Sequence, residues 1–125
     1  MVYELWTPSF QDSSQPPDGL GDLQGVRRRL NDLRKIGVST ILLRPFLSTE
    51  DTGLGVENFV ALEKGSGKLK DALELIGAAH AREMRVVIDF PLAVTSVSHK
   101  WFRRSLQPEV EENAGFREFY VWRGR

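Results

Sequence analysis

Apolar residues return along this chain in two distinct rhythms, and the rhythms divide it into elements. From Asp22 onward, Leu23, Val26, Leu30, Leu33 and Ile36 recur at spacings of three and four, with Arg27, Arg28, Arg29, Asp32 and Lys35 between them. One apolar stripe on an otherwise charged surface predicts an amphipathic helix, with Asp22 as its N-cap and Gly37 as its stop. Leu69, Ala72, Leu73, Ile76, Ala79 and Glu83 set up a second helix whose face is apolar until its last turn. Ser39 to Leu43 and Arg85 to Phe90 behave differently. Thr40-Ile41-Leu42-Leu43 and Val86-Val87-Ile88 are apolar without alternation, the mark of strands covered on both faces. Val2 to Phe10 adds one short aromatic-rich strand ending near Pro8.

The segments between these elements read as loops. Gln11 to Gly21 carries Asp, Ser, Gly and the pair Pro16-Pro17. Ser48 to Gly67 is polar and Gly-rich, with a short element predicted around Val56 to Leu62. No period holds after Pro91, and Phe116 to Trp122 is rich in aromatics. The order is therefore β-α-β-α-β followed by a loop-rich tail. Strands joined by helices of this length run parallel through right-handed crossovers, in either an open doubly wound sheet or a closed barrel. The first strand-to-helix loop has no G-x-G-x-x-G and no G-x-x-x-x-G-K, and Asp22 at the helix start would repel a phosphate. Nucleotide binding is disfavoured.

Composition narrows the function little further. The 125 residues balance 17 Lys+Arg against 17 Asp+Glu, which gives no electrostatic reason to expect nucleic acid or an anionic membrane. Arg103-Arg104 and Arg123 to Arg125 are too small for a nucleic-acid footprint. Without Cys there is neither a disulfide nor a thiolate metal site. No apolar run approaches the roughly 20 residues of a membrane span, and Met1-Val2-Tyr3-Glu4 does not read as a signal peptide.

Four blocks in order resemble the start of the α-amylase superfamily, glycoside hydrolase family 13. They are Val2 to Trp6 with Ser9 to Ser13; Asp18 to Gly25; Val86 to Phe90 with Thr95-Ser96 and His99 to Phe102; and Phe116 to Trp122. Together they span nearly the whole chain. The resemblance implies an α/β fold, the first β-α-β-α-β portion of a TIM (β/α)₈ barrel. Residues 1–125 would cover strands one to three and the start of the domain inserted after the third. Within the α-glucosidase branch, Gly55-Val56-Glu57-Asn58-Phe59 resembles the rBAT-type heavy subunits of amino-acid transporters. That likeness implies a type II membrane protein facing the outside of the plasma membrane, with a transporter light subunit as partner; the wider family also allows a secreted protein.

The departures from the family pattern bear on chemistry. Asp89 stands where the family has a strand-end carboxylate at the sugar site, and it is the substrate-binding candidate. The Asn-His pair that follows in the hydrolases reads Ala93-Val94, which can neither donate nor accept a side-chain hydrogen bond. Asp51-Thr52-Gly53 aligns with a loop that presents a Tyr-Asp pair to the sugar, yet Leu54-Gly55 replaces the pair. Asp12, Asp18 and Asp22 match a calcium-binding loop in part, with Ser14 in place of an Asn and two residues inserted around Pro16-Pro17. The competing reading makes Asp18-Gly19 a turn and Asp22 a helix cap.

Hydrolysis of a glycoside needs two carboxylates across the anomeric carbon. In the family they lie on the fourth and fifth strands, with a third carboxylate after the seventh, so no catalytic residue is assigned here. Glu109, Glu111 and Glu112 read as a solvated charge run, His80 and His99 as packing or capping residues. Trp6, Trp101, Trp122 and Phe119 serve either the core or sugar stacking. Three readings compete: a non-catalytic, transporter-heavy-chain-like homologue; a portion of a divergent α-glucosidase or maltase acting on α-glucosides; and a partial product with no independent role. Three strands with one face uncovered also lead us to expect a chain that is poorly soluble, oligomeric or molten by itself.

Overall fold

A computed structural model describes residues 1–50 and 55–123. Strand β1 (Val2–Trp6) leads directly into the short helix α1 (Thr7–Phe10), where Pro8 occupies the first turn. Proline is at home there because the first helical N–H groups have no partner to lose. The strand thus ends before Pro8, and the residues assigned to its end are helical. Helix α2 (Leu23–Lys35) begins as the sequence predicts: the Asp22 carboxylate accepts the Gly25 N–H at 2.7 Å. It also stops as predicted. Gly37 adopts φ +88°, its N–H and that of Val38 turn back to the Arg34 and Leu33 carbonyls, and buried Val38 packs with buried Leu33 in the same core.

Strands β2 (Thr40–Arg44), β3 (Leu47–Thr49) and β4 (Val56–Leu62) follow, then helix α3 (Leu69–His80), strand β5 (Arg85–Ile88) and helix α4 (Lys100–Ser105). A 3₁₀ segment over Glu111–Phe119 ends the regular structure. The element predicted around Val56 to Leu62 is β4, which pairs with β3 in a two-stranded sheet. The polar residues Ser48 and Thr49 hid β3 from a hydrophobic reading. Likewise α4 and the 3₁₀ segment fall where no period is visible.

The chain forms two compact units, Met1–Ser48 with Val60–Phe90, and Thr49–Phe59 with Pro91–Arg125. In the first, a parallel sheet runs in the order β1-β2-β5. Its register aligns Tyr3 with Ile41 and Val86 on one face, and Leu5 with Leu43 and Ile88 two residues on. Leu5, Ile41 and Leu43 are buried with Leu23, Val26, Leu30 and Leu33 of α2 and Ala72, Leu75 and Ala79 of α3. This is the layered helix-on-sheet core that the two sequence rhythms foretell. The stripe on α3 sits differently from its prediction, however. Leu75 is fully buried whereas Leu69 and Leu73 are 67% and 61% exposed. The small residues Ala72 and Ala79, one turn either side of Leu75, let the helix backbone come close, and that contact sets the buried face.

The opposite sheet face carries Val2, Glu4, Trp6, Leu42, Arg44 and Val87. Val2, Trp6 and Val87 are exposed there, so strands of near-continuous apolar sequence are covered on one side alone. The described residues form a partial sheet with helices and no closed barrel.

The second unit is built otherwise. Trp101 lies against Phe59 at 5.6 Å, His99 at 4.7 Å and Phe119 at 5.5 Å between ring centres, and Phe102 meets Tyr120 at 5.2 Å and Trp122 at 6.1 Å. Ser96, His99, Ser105 and Asn113 are buried in the same unit.

Candidate functional site

Parallel strands present their C-terminal ends to one side, and two of the three place a charged residue there or just beyond. Arg44 closes β2, and Asp89 follows β5 directly. The Arg44 Nε donates to Asp89 Oδ2 at 3.2 Å, and Nη1 donates to Glu4 Oε1 at 2.8 Å. Glu4 lies on β1 two residues before Trp6, the register partner of Arg44, so the guanidinium reaches diagonally across the exposed face. Hydrogen bonding to Glu4, then to Asp89, raises the Arg44 pKa further above its ordinary value, and the group stays charged. One Asp89 oxygen is thereby fixed while the carboxylate is only partly buried, leaving it access to a polar ligand. Arg44 and Glu4 escaped the sequence reading. Their one signal was a charge interrupting each of two apolar strands at positions that share a face.

The first strand-to-helix loop brings its acidic residues near one another but spends them on the backbone. Asp12 accepts N–H bonds from Ser14, Asp18 and Gly19 at 2.8, 2.9 and 2.8 Å, together with the Ser14 hydroxyl. These bonds, the hydroxyl first, hold the Asp12 carboxyl below its usual range. Asp22 gives one oxygen to the Gly25 N–H and the other to the N–H and hydroxyl of Ser13. Asp18 caps its own turn through the Leu20 N–H at 2.9 Å. Calcium requires six to eight oxygens turned toward one point. Here the carboxylates face donors, and no group of three acidic or histidine residues among the described residues is arranged to hold a metal. The loop has the geometry of the competing turn-and-cap reading and fits calcium poorly.

Within the second unit, Ala93 and Val94 are exposed and help line a groove of about 360 Å³ with Phe59, Leu92, Trp101 and Phe119. Its polar element is the 2.9 Å hydrogen bond between the Thr95 and Tyr120 hydroxyls. The wall formed by Ala93 and Val94 therefore has no side-chain hydrogen-bonding group. Asp51 to Leu54, the other altered sugar-loop positions, lie outside the described residues.

The remaining candidates take structural places. His99 is buried and caps α4, its Nδ1 accepting the Trp101 N–H at 3.0 Å. Burial, then the charge of Lys100, lowers its pKa, so the ring is neutral near pH 7. His80 is exposed in the last turn of α3 rather than packed at its edge; its small-residue neighbours bury the opposite face. Glu109, Glu111 and Glu112 are exposed, the latter two in the first turn of the 3₁₀ segment. Trp122 donates its indole N–H to the Arg117 carbonyl at 3.0 Å and carries the Arg117 guanidinium 4.5 Å over its ring.

Comparison with known proteins agrees with this architecture. The profile of the α-amylase catalytic domain matches residues 4–125. Trehalose-6-phosphate hydrolase of Escherichia coli (strain K12) is 38% identical over 98% of this chain and 22% of its own length. A probable oligo-1,6-glucosidase 2 of Bacillus subtilis (strain 168) is 36% identical over 98% of this chain and 21% of its own. The crystal structure of Bacillus licheniformis trehalose-6-phosphate hydrolase superposes with a TM-score of 0.87 at 28% identity, covering 98% of this chain and 22% of that one. This chain thus spans about a fifth of the length of the curated relatives it matches. A matching profile over almost every residue and a shared strand order lead to one assignment: the chain belongs to the α-amylase catalytic-domain family, glycoside hydrolase family 13.

Proposed function

We propose that this chain is the first part of an α-glucosidase-type hydrolase that acts on small α-glucosides. One observation carries the reading: relatives matched over 98% of the chain are named for hydrolysis of α-glucosides, among them trehalose-6-phosphate and oligo-1,6-glucosides. On this reading residues 1–125 supply barrel strands one to three and the start of the domain inserted after the third. Asp89, braced by Arg44 and Glu4, accepts hydrogen bonds from sugar hydroxyls. A carboxylate fixed through one oxygen keeps the other directed, which gives hydroxyl recognition its geometric selectivity.

Glu4 and Asp89 are not the reaction pair, since both bind the same guanidinium instead of facing each other across a sugar. The acid and nucleophile belong, by family resemblance, to the fourth and fifth strands. Exposed Ala93 and Val94 remove two hydrogen-bonding groups from the sugar wall, which predicts weakened selectivity among hydroxyl patterns. The transporter-heavy-subunit reading finds no support among these relatives, and with it falls the support for a light-subunit partner; the hydrolase reading fits them better.

The test compares the 125-residue chain with a longer polypeptide carrying a complete barrel, on p-nitrophenyl α-glucoside, isomaltose and trehalose 6-phosphate. Turnover is expected from the longer form, reduced by Asp89→Ala, and none from the 125 residues. A complete barrel inert on all three substrates would sink the proposal.

A further inference from the structure

The outer surfaces of α2 and α3 meet along a groove of about 380 Å³ lined by Gln24, Arg27, Arg28, Asn31, Ala78 and Arg82. All six residues lie in the first unit. Spacings of three and four place Gln24, Arg27, Arg28 and Asn31 on one side of α2. Arg82 follows α3 and is held from two directions: its Nε donates to Asn31 Oδ1 at 2.7 Å and its Nη1 to the Ala78 carbonyl at 2.8 Å.

The hydrogen-bond inventory of this groove is unbalanced. Arg27 is offset by Glu74 at 2.9 Å, and Gln24 bonds Asp71, Glu74 and Arg27. The Arg28 side chain, by contrast, has no ion pair and no hydrogen bond among the described residues. Arg82 bonds a carboxamide and a carbonyl but no carboxylate, so its charge is not neutralised and its second terminal nitrogen is left over. Asn31 gives its oxygen to Arg82, which orients the carboxamide with its NH₂ directed elsewhere. Two unneutralised guanidiniums and a carboxamide donor therefore share a concave surface of small-molecule size. Guanidinium forks match the oxygens of carboxylates and phosphates, and the several terminal oxygens of a phosphate can serve two guanidiniums at once. With as many acidic as basic residues in the whole chain, the feature is local and not part of a general polyanion surface.

We propose that this groove binds a phosphate oxyanion, inorganic or carried as a small phosphate monoester, with Arg28 and Arg82 as its principal ligands. The proposal does not rest on the hydrolase reading, since it concerns residues of the helical layer alone.

Isothermal titration tests it, using inorganic phosphate, glucose 6-phosphate and chloride at matched ionic strength. Saturable binding of one or both phosphates, and none of chloride, is expected. Tighter binding of glucose 6-phosphate would identify the ester as the ligand; equal binding would identify the free oxyanion. Arg28→Ala removes an exposed side chain and should leave the fold intact while weakening binding roughly tenfold, the scale of one lost charge-assisted contact. Arg82→Lys keeps the charge without the fork and should weaken it less. Arg103→Ala, elsewhere on the surface, should change nothing. No saturable heat with either phosphate, or unchanged affinity in Arg28→Ala, would overturn the proposal.

Discussion

The two units of this chain use different physics to order their backbone. The first buries Leu5, Leu30, Ile41, Leu43, Leu75 and Met84 in one aliphatic layer between sheet and helices. Among the described residues of the second, Val56 is the one buried hydrophobic side chain, beside buried Thr49, Ser96, His99, Ser105 and Asn113. Its rings are mostly half-exposed and meet in edge-to-face, tilted and stacked pairs, while hydroxyls and a histidine close the local backbone. Ser96, for example, donates to Glu50 at 3.0 Å and accepts the Ser98 N–H at 2.9 Å. Aliphatic burial is non-directional and tolerates conditions that leave shape intact. A polar and aromatic network depends on each partner's protonation and position.

The sharpest way to break this contrast is to remove a core side chain from the layered unit. Ile41→Ala, at the centre of the sheet, should destabilise by about 2–5 kcal/mol in denaturant unfolding. A cost below that range would mean the layer is loosely packed.

Acid should separate the units next. The buried His99 has its pKa below the usual 6.5, so the unfolded chain takes up a proton more readily than the folded one. Its contribution to stability is full above about pH 6.5 and is lost as pH falls below that value. In the first unit, Asp12 and Asp71 are held below 3.8 by hydrogen bonds, Asp71 through Gln24 first. Their contribution is full above 3.8 and disappears only under stronger acid. Spectroscopic signals from Trp101 should therefore change as the pH falls below 6.5 while the sheet persists. Simultaneous loss of both would show the units to be one cooperative block.

Smaller effects probe the loop ahead of α2. Asp22→Ala should cost about 1 kcal/mol by removing the cap and both Ser13 contacts. Millimolar calcium should leave the melting temperature unchanged, because the loop carboxylates already serve backbone donors. A rise that Asp18→Ala abolishes would instead establish a calcium site. Last, Val87→Lys on the exposed sheet face should reduce the self-association expected of apolar strands with bare edges, read by light scattering across a dilution series. A wild-type chain that is monomeric at every dilution would contradict that expectation.

Much of the first unit is legible in the sequence alone. The N-cap at Asp22, the stop at Gly37 and the parallel strands all rest on short-range rules: side-chain chemistry at one position, a positive φ at another, a helix of fixed length between strands. The second unit was mostly illegible. Helix α4 is six residues long, too short for a period to show, and it is capped by a histidine that a cap search centred on Ser, Thr, Asp and Asn passes over.

Among the candidate sugar-binding residues the same division holds. Sequence alone marked Asp89 and the lost hydrogen-bonding positions Ala93 and Val94, since a residue's capacity to donate or accept is written in its side chain. Only the tertiary structure joined Asp89 to Arg44 and Glu4, because β1, β2 and β5 are distant in sequence and become neighbours through parallel pairing. It also turned Asp12 and Asp22 toward backbone N–H groups, a choice composition cannot express, since a carboxylate accepts equally from a cation or an amide until the loop's path places one of them within reach.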